Sequence, residues 1–350
     1  MSSAAPTKFI LPDLVSDCPY PLHVNRHRKQ VTTETKRWLF KGDNLQGKIR
    51  ERYHGLKCGT LAAMVYPRAA YPQLRVCNDF LTYLFHLDNL SDDMDNHGTM
   101  TTADVVMNSL YHPGKYQSPR IGKMTRECVI RDTISLCPAD RFDSYWTRLI
   151  STASPRVQQR FMETLDFFFQ SVTEQANDRQ EGAIPDLESY IALRRDTSGC
   201  KTSFVLIEYS NNLDIPDEVM EHSLLRSLNE AANDLVTWSN DIFSYNVEQS
   251  KGDTHNMIPV IMNHHSLDLQ PAVDYVGQLC NQSIERFMND RAQLPSWGPE
   301  IDRQVQIYVD GLEDWMSGSL HWSFESERYF GKAGRQVKKS RVINLLPKRA

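Results

Sequence analysis

The sequence predicts an all-α protein, a single-domain bundle of about ten helices. Apolar residues recur at intervals of three and four through most segments, as they do along one face of a helix. Alternating apolar and polar strand patterns bounded by hairpin turns are nearly absent. The 350 residues contain no Ser/Gly-rich or Pro-rich linker and no internal repeat, so a division into two domains has no support.

Three segments are expected along the chain. Residues 1–30 carry the turn signals LPD and CPYP and are predicted to be an irregular N-terminal segment. Residues 31–333 form the predicted helical domain, whose first helix opens with TTETKRWLF, a Ser/Thr-type cap followed by a glutamate. Residues 334–350 form a basic C-terminal tail, which is expected to be a partly ordered end near an anionic surface or simply to lie in solvent.

The spacing of apolar residues predicts three long helices within the domain. They cover residues 156–178, 222–249 and 303–330. The last of these contains Gly311 and Gly318, which are its weak points because glycine disfavours a helix interior.

Composition and charge exclude several classes of protein. The net charge is -5 with both signs mixed, which argues against a nucleic-acid-binding protein. Seven scattered cysteines without a C-x-x-C pair indicate reduced, intracellular cysteine usage. No signal-peptide core and no apolar run of roughly 20 residues is present, so we expect a cytoplasmic protein without integral membrane association.

An acidic cluster follows an apolar segment in FLTYLFHLDNLSDDMDN, residues 80–96. On a helix, Asp88 and Asp92 share one face, and Asn89 and Asp93 form a second such pair. Stacked carboxylates repel unless a cation lies between them, and oxygen ligands without His or Cys suit Mg²⁺. The alternative is a helix end that runs into an ordinary polar loop. An EF-hand calcium loop does not match, because the glycine falls at the wrong offset.

A second oxygen-rich stripe lies in WSNDIFSYNVEQSKGD, residues 238–253. Asn240, Ser244 and Glu248 are spaced by four, so an amide, a hydroxyl and a carboxylate follow one line along a helix. Such a set is another oxygen cage for Mg²⁺, and Lys251 stands within reach of an anion bound there. The alternative is a polar stripe that faces solvent. Two half-cages on facing helices would together hold several Mg²⁺ ions bridged to a diphosphate.

These elements resemble those of class I terpene synthases, specifically the sesquiterpene synthases of basidiomycete fungi. DNLSD at 88–92 is similar to the aspartate-rich motif, and NDIFSYNVE at 240–248 matches N-D-x-x-S-x-x-x-E at every defined position. Arg328 and Tyr329 match the C-terminal Arg-Tyr pair, and LRRDTSG at 193–199 is similar to the segment with the diphosphate-sensing arginine. One departure is Asn89, where the family often has Asp or Glu.

The resemblance implies a single-domain helical bundle with a central cavity, which ionises farnesyl diphosphate with three Mg²⁺ ions and releases diphosphate. It implies that Asp88 and Asp92 bind metal together with the second stripe, with Asp88 the safer assignment and Asp93 competing with Asp92. The residues expected to bind the diphosphate are Arg195, Arg194, Lys251, Arg328 and Tyr329.

Arg194 and Arg195 point about 100° apart on a helix, so only one can face the site fully. The family spacing to Gly199 favours Arg195. A carbocation also needs an apolar, partly aromatic pocket that keeps water out. The residues expected there are Leu81, Leu84, Phe85, Ser198, Gly199, Trp315 and Trp322. The alternative for the aromatic residues is plain core packing.

Two other functions remain open from the sequence. One is a linear prenyl transferase of the same fold, although that family carries two aspartate-rich motifs. The other is a non-catalytic helical scaffold with acidic stripes. His23/His27 and His264/His265 lack a third ligand at a recognised zinc spacing. Within the fungal group, the resemblance suggests 1,11-ring closure to a humulyl cation and a product of the protoilludene type.

Overall fold

The computed structural model describes residues 7–40, 47–91, 96–111, 145–181 and 184–348. These residues form a helical bundle with one small two-stranded sheet. The prediction of an all-α fold is therefore confirmed for the described part of the chain.

The elements follow one another along the chain with short connections. In order, they are β1 (Lys8–Ile10), α1 (Leu14–Asp17), α2 (Arg28–Phe40), α3 (Lys48–Leu56), α4 (Cys58–Val65), α5 (Tyr71–Ser91), α6 (Asn96–Tyr111), α7 (Tyr145–Ile150), α8 (Pro155–Glu181), α9 (Leu187–Thr197), α10 (Cys200–Asn211), α11 (Asp217–Met220), α12 (Ser223–Lys251), α13 (Met257–His265), α14 (Leu269–Ala292), α15 (Pro299–Glu325), a 3₁₀ turn (Gly331–Ala333), α16 (Gly334–Ser340) and β2 (Val342–Asn344).

Two of the three long predicted helices agree closely with the structure. The helix expected at 156–178 is α8, which begins with a proline at its first position, where the missing N–H costs nothing. Its apolar residues Val157, Phe161 and Leu165 are buried, as their spacing requires. The helix expected at 222–249 is α12, which ends at Gly252 in the left-handed region.

Two predicted helix boundaries are wrong. The last long helix was expected to reach residue 330, but α15 ends at Glu325, because Ser326 turns to an extended conformation. The next residue, Glu327, then donates its backbone N–H to the carbonyl of Gly55 at the end of α3. The helix predicted to be the first of the domain, α2, begins at Arg28 rather than near residue 31. Thr32 is therefore inside the helix, where its hydroxyl donates to the Arg28 carbonyl instead of capping.

The glycines of α15 do not interrupt the helix, and each lies where a neighbouring helix packs close to the α15 backbone. Gly311, Trp315, Gly318 and Trp322 lie on one stripe, at steps of four, three and four. A Cβ at Gly311 would lie 2.3 Å from a methyl of Ile207 on α10, and one at Gly318 would lie 3.0 Å from the backbone of α4. The glycines thus let α10 and α4 approach the α15 backbone beside the tryptophan side chains.

The two ends of the chain are ordered against each other. β1 pairs antiparallel with β2, with Phe9 opposite Ile343, and both of these side chains are buried. The first 30 residues also contain α1, and the C-terminal tail contains α16. The expected segment bounds stay a prediction; within them the structure adds β1 and α1 to the N-terminal segment, and α16 and β2 to a tail whose side chains are mostly exposed. The strands KFI and VIN are too short to show a pattern in the sequence.

The described helices enclose a continuous hydrophobic core. The structure packs α12 along α14 on one side and against α15, α9 and α10 on the other. Five cysteines in the described part of the chain are buried and unbonded, in agreement with the reduced state expected from the sequence. Among the described residues, no helix combines the length and the apolar character needed to cross a bilayer.

Candidate functional site

A cavity of about 710 Å³ lies inside the bundle. Its walls come largely from α5, α9, α12 and α15, and each of these helices contributes residues from its C-terminal half. A volume of this size is typical of a site for a small ligand. The central cavity expected from the resemblance is therefore present.

One part of the cavity wall is apolar and aromatic. Leu81, Leu84 and Phe85 of α5 line it, together with Trp315 and Trp322 of α15, as the sequence predicts. The rings of Phe85 and Trp322 lie 5.5 Å apart. The two tryptophans are seven residues apart on one helix, so they extend the aromatic wall over about 10 Å.

The predicted pocket residues Ser198 and Gly199 stand at the break between α9 and α10. Ser198 lines the cavity, whereas Gly199 lies behind the wall. Gly199 has a φ of 70°, and a Cβ there would lie 2.7 Å from Leu84. Only glycine fits this position without strain, and the tight packing holds Leu84 against the cavity.

The second metal motif faces the cavity as a unit. Asn240, Ser244 and Glu248 all line it, and they follow one line along the C-terminal half of α12. Asn240 accepts a hydrogen bond from Arg194 at 2.9 Å and donates one to the hydroxyl of Tyr329 at 2.6 Å. The structure therefore brings this motif together with one of the candidate arginines and with the C-terminal Arg-Tyr pair.

The two adjacent arginines of α9 have different surroundings. Arg194 lines the cavity. Arg195 points away from it and binds Asp234 through Nε at 2.7 Å and Nη2 at 2.8 Å, with Glu230 at 3.2 Å. The sequence-based preference for Arg195 as the residue that faces the site is therefore wrong. The rotation of α9 against α12 decides between the two, and the sequence does not encode that angle locally.

Asp241 is a structural centre of the site to which the sequence pattern gave no role. Its carboxylate accepts hydrogen bonds from Arg194 at 2.9 and 3.1 Å, from the Tyr190 hydroxyl at 2.6 Å and from the Met257 backbone at 3.1 Å. Burial, the largest single cause, acts to lower the pKa of Arg194, but the charge and hydrogen bond of Asp241, together with contributions from Tyr190 and Glu248, raise that pKa overall. The guanidinium is thus held charged at the cavity wall. Asp241 is the second residue of the motif N-D-x-x-S, but the motif does not indicate that this residue holds an arginine at the cavity wall.

Glu248 is a half-buried acid of the cavity wall and receives an amide as its partner. Asn256 donates one N–H to the Glu248 carboxylate at 2.8 Å and the other to the Asp241 carbonyl at 2.8 Å. Burial, the largest cause, raises the pKa of Glu248 to about 7; the charge of Asp241 adds to the rise, while Asn256 opposes it. A buried carboxylate of this kind is stabilised by a cation that binds beside it.

Asn256 was also missed from the sequence. It is the N-cap of α13, where its side chain accepts from the Ile258 N–H at 2.8 Å. An Asn immediately before the apolar run MIPVIM is a capping signal that could have placed it. Through this cap, the start of α13 is hydrogen-bonded to the end of α12.

The remaining predicted diphosphate-binding residues also line the cavity. These are Lys251 at the end of α12, and Arg328 and Tyr329 just beyond α15. The Arg328 guanidinium lies 5.0 Å from the ring centre of Phe85. It therefore stands between the aromatic wall and the polar part of the cavity.

The first acidic motif is only partly within the described residues. Asp88 belongs to the last turn of α5, but its side chain lies outside the described residues, as does that of Asn89. Asp92 and Asp93 lie outside them altogether. In the part of the chain that is described, no three His, Cys, Asp or Glu side chains form a group that could hold a metal. The assignment of Asp88 and Asp92 as ligands stays a prediction.

The donor set that is described fits Mg²⁺. Its members offer amide, hydroxyl and carboxylate oxygens, which are the ligands that Mg²⁺ prefers. Glu248 is half-buried with an amide partner and a raised pKa, so a cation bound beside it would stabilise its charge. Because Asn240, Ser244 and Glu248 include only one acid, they need further oxygen ligands from a second protein segment, from water or from a phosphate group.

Comparison with known proteins gives a consistent family. A family model described as terpene synthase family 2, C-terminal metal binding, matches residues 79–286. "Sesquiterpene synthase Agr1" of Cyclocybe aegerita is 67% identical over 342 residues, which cover 97% of this chain and 94% of that protein. "Alpha-muurolene synthase" of Coprinopsis cinerea is 52% identical over 98% of this chain and 79% of that protein.

More distant proteins agree with this result. "Delta(6)-protoilludene synthase" of Stereum hirsutum is 34% identical over 97% of this chain and 88% of that protein. The crystal structure of germacradien-4-ol synthase from Streptomyces citricolor covers 87% of this chain and 96% of its own, with a TM-score of 0.72 and 22% identity. At that identity, the structural likeness shows a shared fold.

Proposed function

The chain belongs to the terpene synthase family, and we propose from this premise that it is a magnesium-dependent sesquiterpene cyclase acting on farnesyl diphosphate. One observation carries the proposal: the oxygen donors Asn240, Ser244 and Glu248 face the same cavity as an aromatic wall. The enzyme class, a terpene cyclase, agrees with the sesquiterpene synthases to which the chain is similar over nearly its whole length.

Substrate binding divides between the two parts of the cavity. The polar part, with Arg194, Lys251, Arg328 and Tyr329, suits a diphosphate, and arginine can bind two of its oxygens at once. The apolar part suits an isoprenoid chain, since its removal from water is favourable. A ligand that extends from one part to the other would be oriented before any bond is broken.

The metal would be held by Asn240, Ser244 and Glu248, with Asp88 and Asp92 proposed as the facing ligands. The chemistry that Mg²⁺ supplies when bound is neutralisation of the charge on the leaving diphosphate. The helices α5, α9, α12 and α15 contribute to this cavity from their C-terminal halves, and a helix C-terminus carries partial negative charge. At the last turn of α12, where Glu248 stands, this partial charge favours a bound cation.

The protein's own residues contribute to ionisation and to the fate of the cation. Arg194, oriented by Asp241, is placed to donate to the diphosphate as negative charge develops there. Tyr329 offers a hydroxyl beside Asn240. Phe85, Trp315 and Trp322 exclude water and present ring faces to an allylic cation, which cation–π attraction stabilises.

Incubation with farnesyl diphosphate and Mg²⁺ tests the proposal. We expect a volatile hydrocarbon or alcohol together with released diphosphate, and no product when Mg²⁺ is chelated. Glu248→Gln should lose the activity, whereas Arg195→Lys, which changes an arginine outside the cavity, should keep it. A folded protein that leaves geranyl, farnesyl and geranylgeranyl diphosphates unchanged would refute the proposal in favour of the scaffold. A longer prenyl diphosphate, formed only when isopentenyl diphosphate is added, would instead indicate a linear prenyl transferase.

For the product, we propose 1,11-closure to a humulyl cation and a tricyclic product of the protoilludene type, on the basis of the resemblance within the fungal group. A relative with that product in its name supports it at 34% identity. The relative named for alpha-muurolene is more similar, at 52%, and makes that compound the competing outcome. Gas chromatography with mass spectrometry of the extracted product distinguishes the two.

A further inference from the structure

The turn of α12 at residues 244–249 carries Ser244 and Glu248 on one side. Its opposite side contacts two segments near the ends of the chain, at residue 9 and at residues 344–346. Asn246 donates to the carbonyl of Asn344 at 3.0 Å and accepts from the N–H of Leu346 at 2.8 Å. Gln249 donates to the carbonyl of Leu346 at 2.9 Å. Tyr245 packs against the ring of Phe9 in β1, with 5.8 Å between the ring centres and 81° between the planes.

These contacts lie opposite the metal ligands. Residues two positions apart on a helix point about 160° away from each other, so Asn246 lies across the helix from both Ser244 and Glu248. Gln249 is on the same side as Asn246, three positions further on. The inner side of this turn therefore faces the cavity and its outer side is bound to the chain ends.

The bound segment is itself anchored. β1 and β2 pair in a fixed register, and Leu345 donates its N–H to the carbonyl of Thr7 at 2.9 Å. On the other edge, Gln270 of α14 exchanges two hydrogen bonds with the backbone of Ile10, at 2.7 and 3.1 Å. The sheet is thus tied to α14 as well as to α12, and α14 is the helix packed along α12.

From this arrangement we propose that β1, β2 and residues 345–346 form a positioning strap, with Asn246 and Gln249 as the positioning residues on α12. The strap fixes the angle and depth at which the last turns of α12 present Ser244 and Glu248 to a divalent cation. This inference rests on the proposed function. It assigns to both chain ends, which lie outside the cavity, a role in the affinity for Mg²⁺.

A need for such a support follows from where the ligands stand. Glu248 is three residues from the end of α12, and helix ends open more readily than helix interiors. Asn256 holds the Glu248 carboxylate from the inner side. Backbone groups of the strap hold the side chains of Asn246 and Gln249 on the outer side of the same turn, in the way that outer-shell contacts support metal sites.

A chain that stops after Asn344 tests the strap while keeping both strands. It loses the Leu346 contacts with Asn246 and Gln249, and with them the Leu345 hydrogen bond to Thr7. We expect the Mg²⁺ concentration that half-saturates binding of inorganic diphosphate to rise by about tenfold, the range seen when outer-shell support of a metal site is removed. At saturating Mg²⁺, kcat should stay within about twofold, because the residues that meet the substrate are unchanged.

Asn246→Ala in the full chain should raise the required Mg²⁺ concentration in the same way. In the shortened chain, the same substitution should add less than it does alone.

The matched control is Gln304→Ala. Gln304 also accepts a backbone N–H from a distant segment, that of Asp214 at 2.8 Å, but it lies away from the cavity. Its loss should cost similar thermal stability and leave the Mg²⁺ dependence unchanged. An equal effect of the control variant on the Mg²⁺ dependence would overturn the strap, because general destabilisation would then explain the result.

Amide hydrogen exchange separates failure of the strap from failure of the proposed function. The shortened chain should exchange the amides of residues 244–251 faster than the full chain does, without any ligand present. Unchanged exchange there, or an unchanged Mg²⁺ dependence, would overturn the strap. If the full chain binds no diphosphate with Mg²⁺, the proposed function fails, and the exchange rates alone decide whether the strap positions this turn.

Discussion

The two halves of α12 hold buried acids in contrasting ways. Asp234, in the first half, is fully buried and paired with the guanidinium groups of Arg195 and Arg286. Glu248, two heptads later, is half-buried at the cavity wall, and its carboxylate accepts a hydrogen bond from the amide of Asn256. Asp241 stands midway, with one arginine. From Asp234 to Glu248 along this helix, the acids therefore have fewer arginine partners, and the last one is placed to bind a cation from solution.

This difference teaches which buried acids to regard as structural. A carboxylate matched by arginines is costly to disturb and adds little chemistry. A carboxylate beside a cavity that has no arginine partner has a raised pKa, because burial disfavours its charged form. A cation that enters the cavity stabilises that charge. Substitutions of both kinds of acid and of their partners test that distinction, beginning with the largest expected effect.

Replacing Glu248 should abolish function and spare the fold. Glu248→Gln keeps the shape and the hydrogen bond to Asn256 while it removes the charge, so activity should fall by at least about 100-fold, since even outer-shell changes around metals reach that range. The free energy of unfolding should not fall, because a buried charge is removed. Steady-state assays with farnesyl diphosphate and denaturant unfolding measure the two effects. A large loss of stability would place Glu248 with the structural acids.

The arginine pair gives the second test. Arg194→Lys replaces a planar fork at the cavity wall with a single ammonium, and kcat should fall by about 10- to 100-fold. Arg195→Lys should leave kcat within about twofold, since Arg195 serves Asp234 and lies outside the cavity. The same activity assay on both variants decides. Equal losses would show that position relative to the cavity does not separate the two arginines.

Asp234→Asn should act in the opposite sense to Glu248→Gln. It leaves the guanidinium groups of Arg195 and Arg286 without their shared carboxylate, and breaking such a buried pair costs about 3 kcal/mol of unfolding free energy. The remaining folded enzyme should turn over at nearly the normal rate. Urea unfolding monitored by circular dichroism, with activity per folded molecule, provides the measurement. A variant as stable as the wild type contradicts the structural role of Asp234.

Glu313 of α15 sharpens the comparison, because it shows that a raised pKa alone does not mark the site. Burial, the largest cause, raises the pKa of Glu313 to about 7, although its ion-pair partner Arg291 acts to lower it. The folded state therefore holds this proton more tightly than the unfolded state does, where the ordinary value is 4.5.

The sign of the pH effect follows from that difference. The stabilisation from Glu313 is fully present below pH 4.5 and is lost as pH rises through about 7, with a slope of at most about 1.4 kcal/mol per pH unit for one proton. Glu313→Gln should flatten the fall in stability between these values and leave activity unchanged, since Glu313 does not line the cavity. Unfolding curves measured at several pH values test this. An equally steep fall in the variant would assign the dependence to other acids.

The sequence predicts the repeating features of the molecule well. The stripe of Asn240, Ser244 and Glu248 follows from helical spacing alone, and so does the shared face of Trp315 and Trp322. The pattern also predicts the long helices, because burying one face of a long helix leaves a strong periodic signal.

Features that depend on how helices meet were not predictable in the same way. The choice between Arg194 and Arg195 depends on the rotation of α9, which is set by tertiary packing. Asp241 gains its partners from α9 and α13, and no local pattern records those contacts. The pairing of β1 with β2 joins residues more than 300 positions apart through strands of three residues.

The alternation of glycine and tryptophan on α15 has a consequence for enzyme engineering. The dimensions of the cavity depend on where α4 and α10 come to rest against Gly311 and Gly318, and neither glycine touches the cavity itself. A single methyl group added at Gly318 would push a whole helix outward by a few tenths of an ångström. Mutagenesis aimed at new terpene skeletons can therefore change the shape of the cavity through substitutions outside its lining, while every side chain that meets the carbocation stays the same.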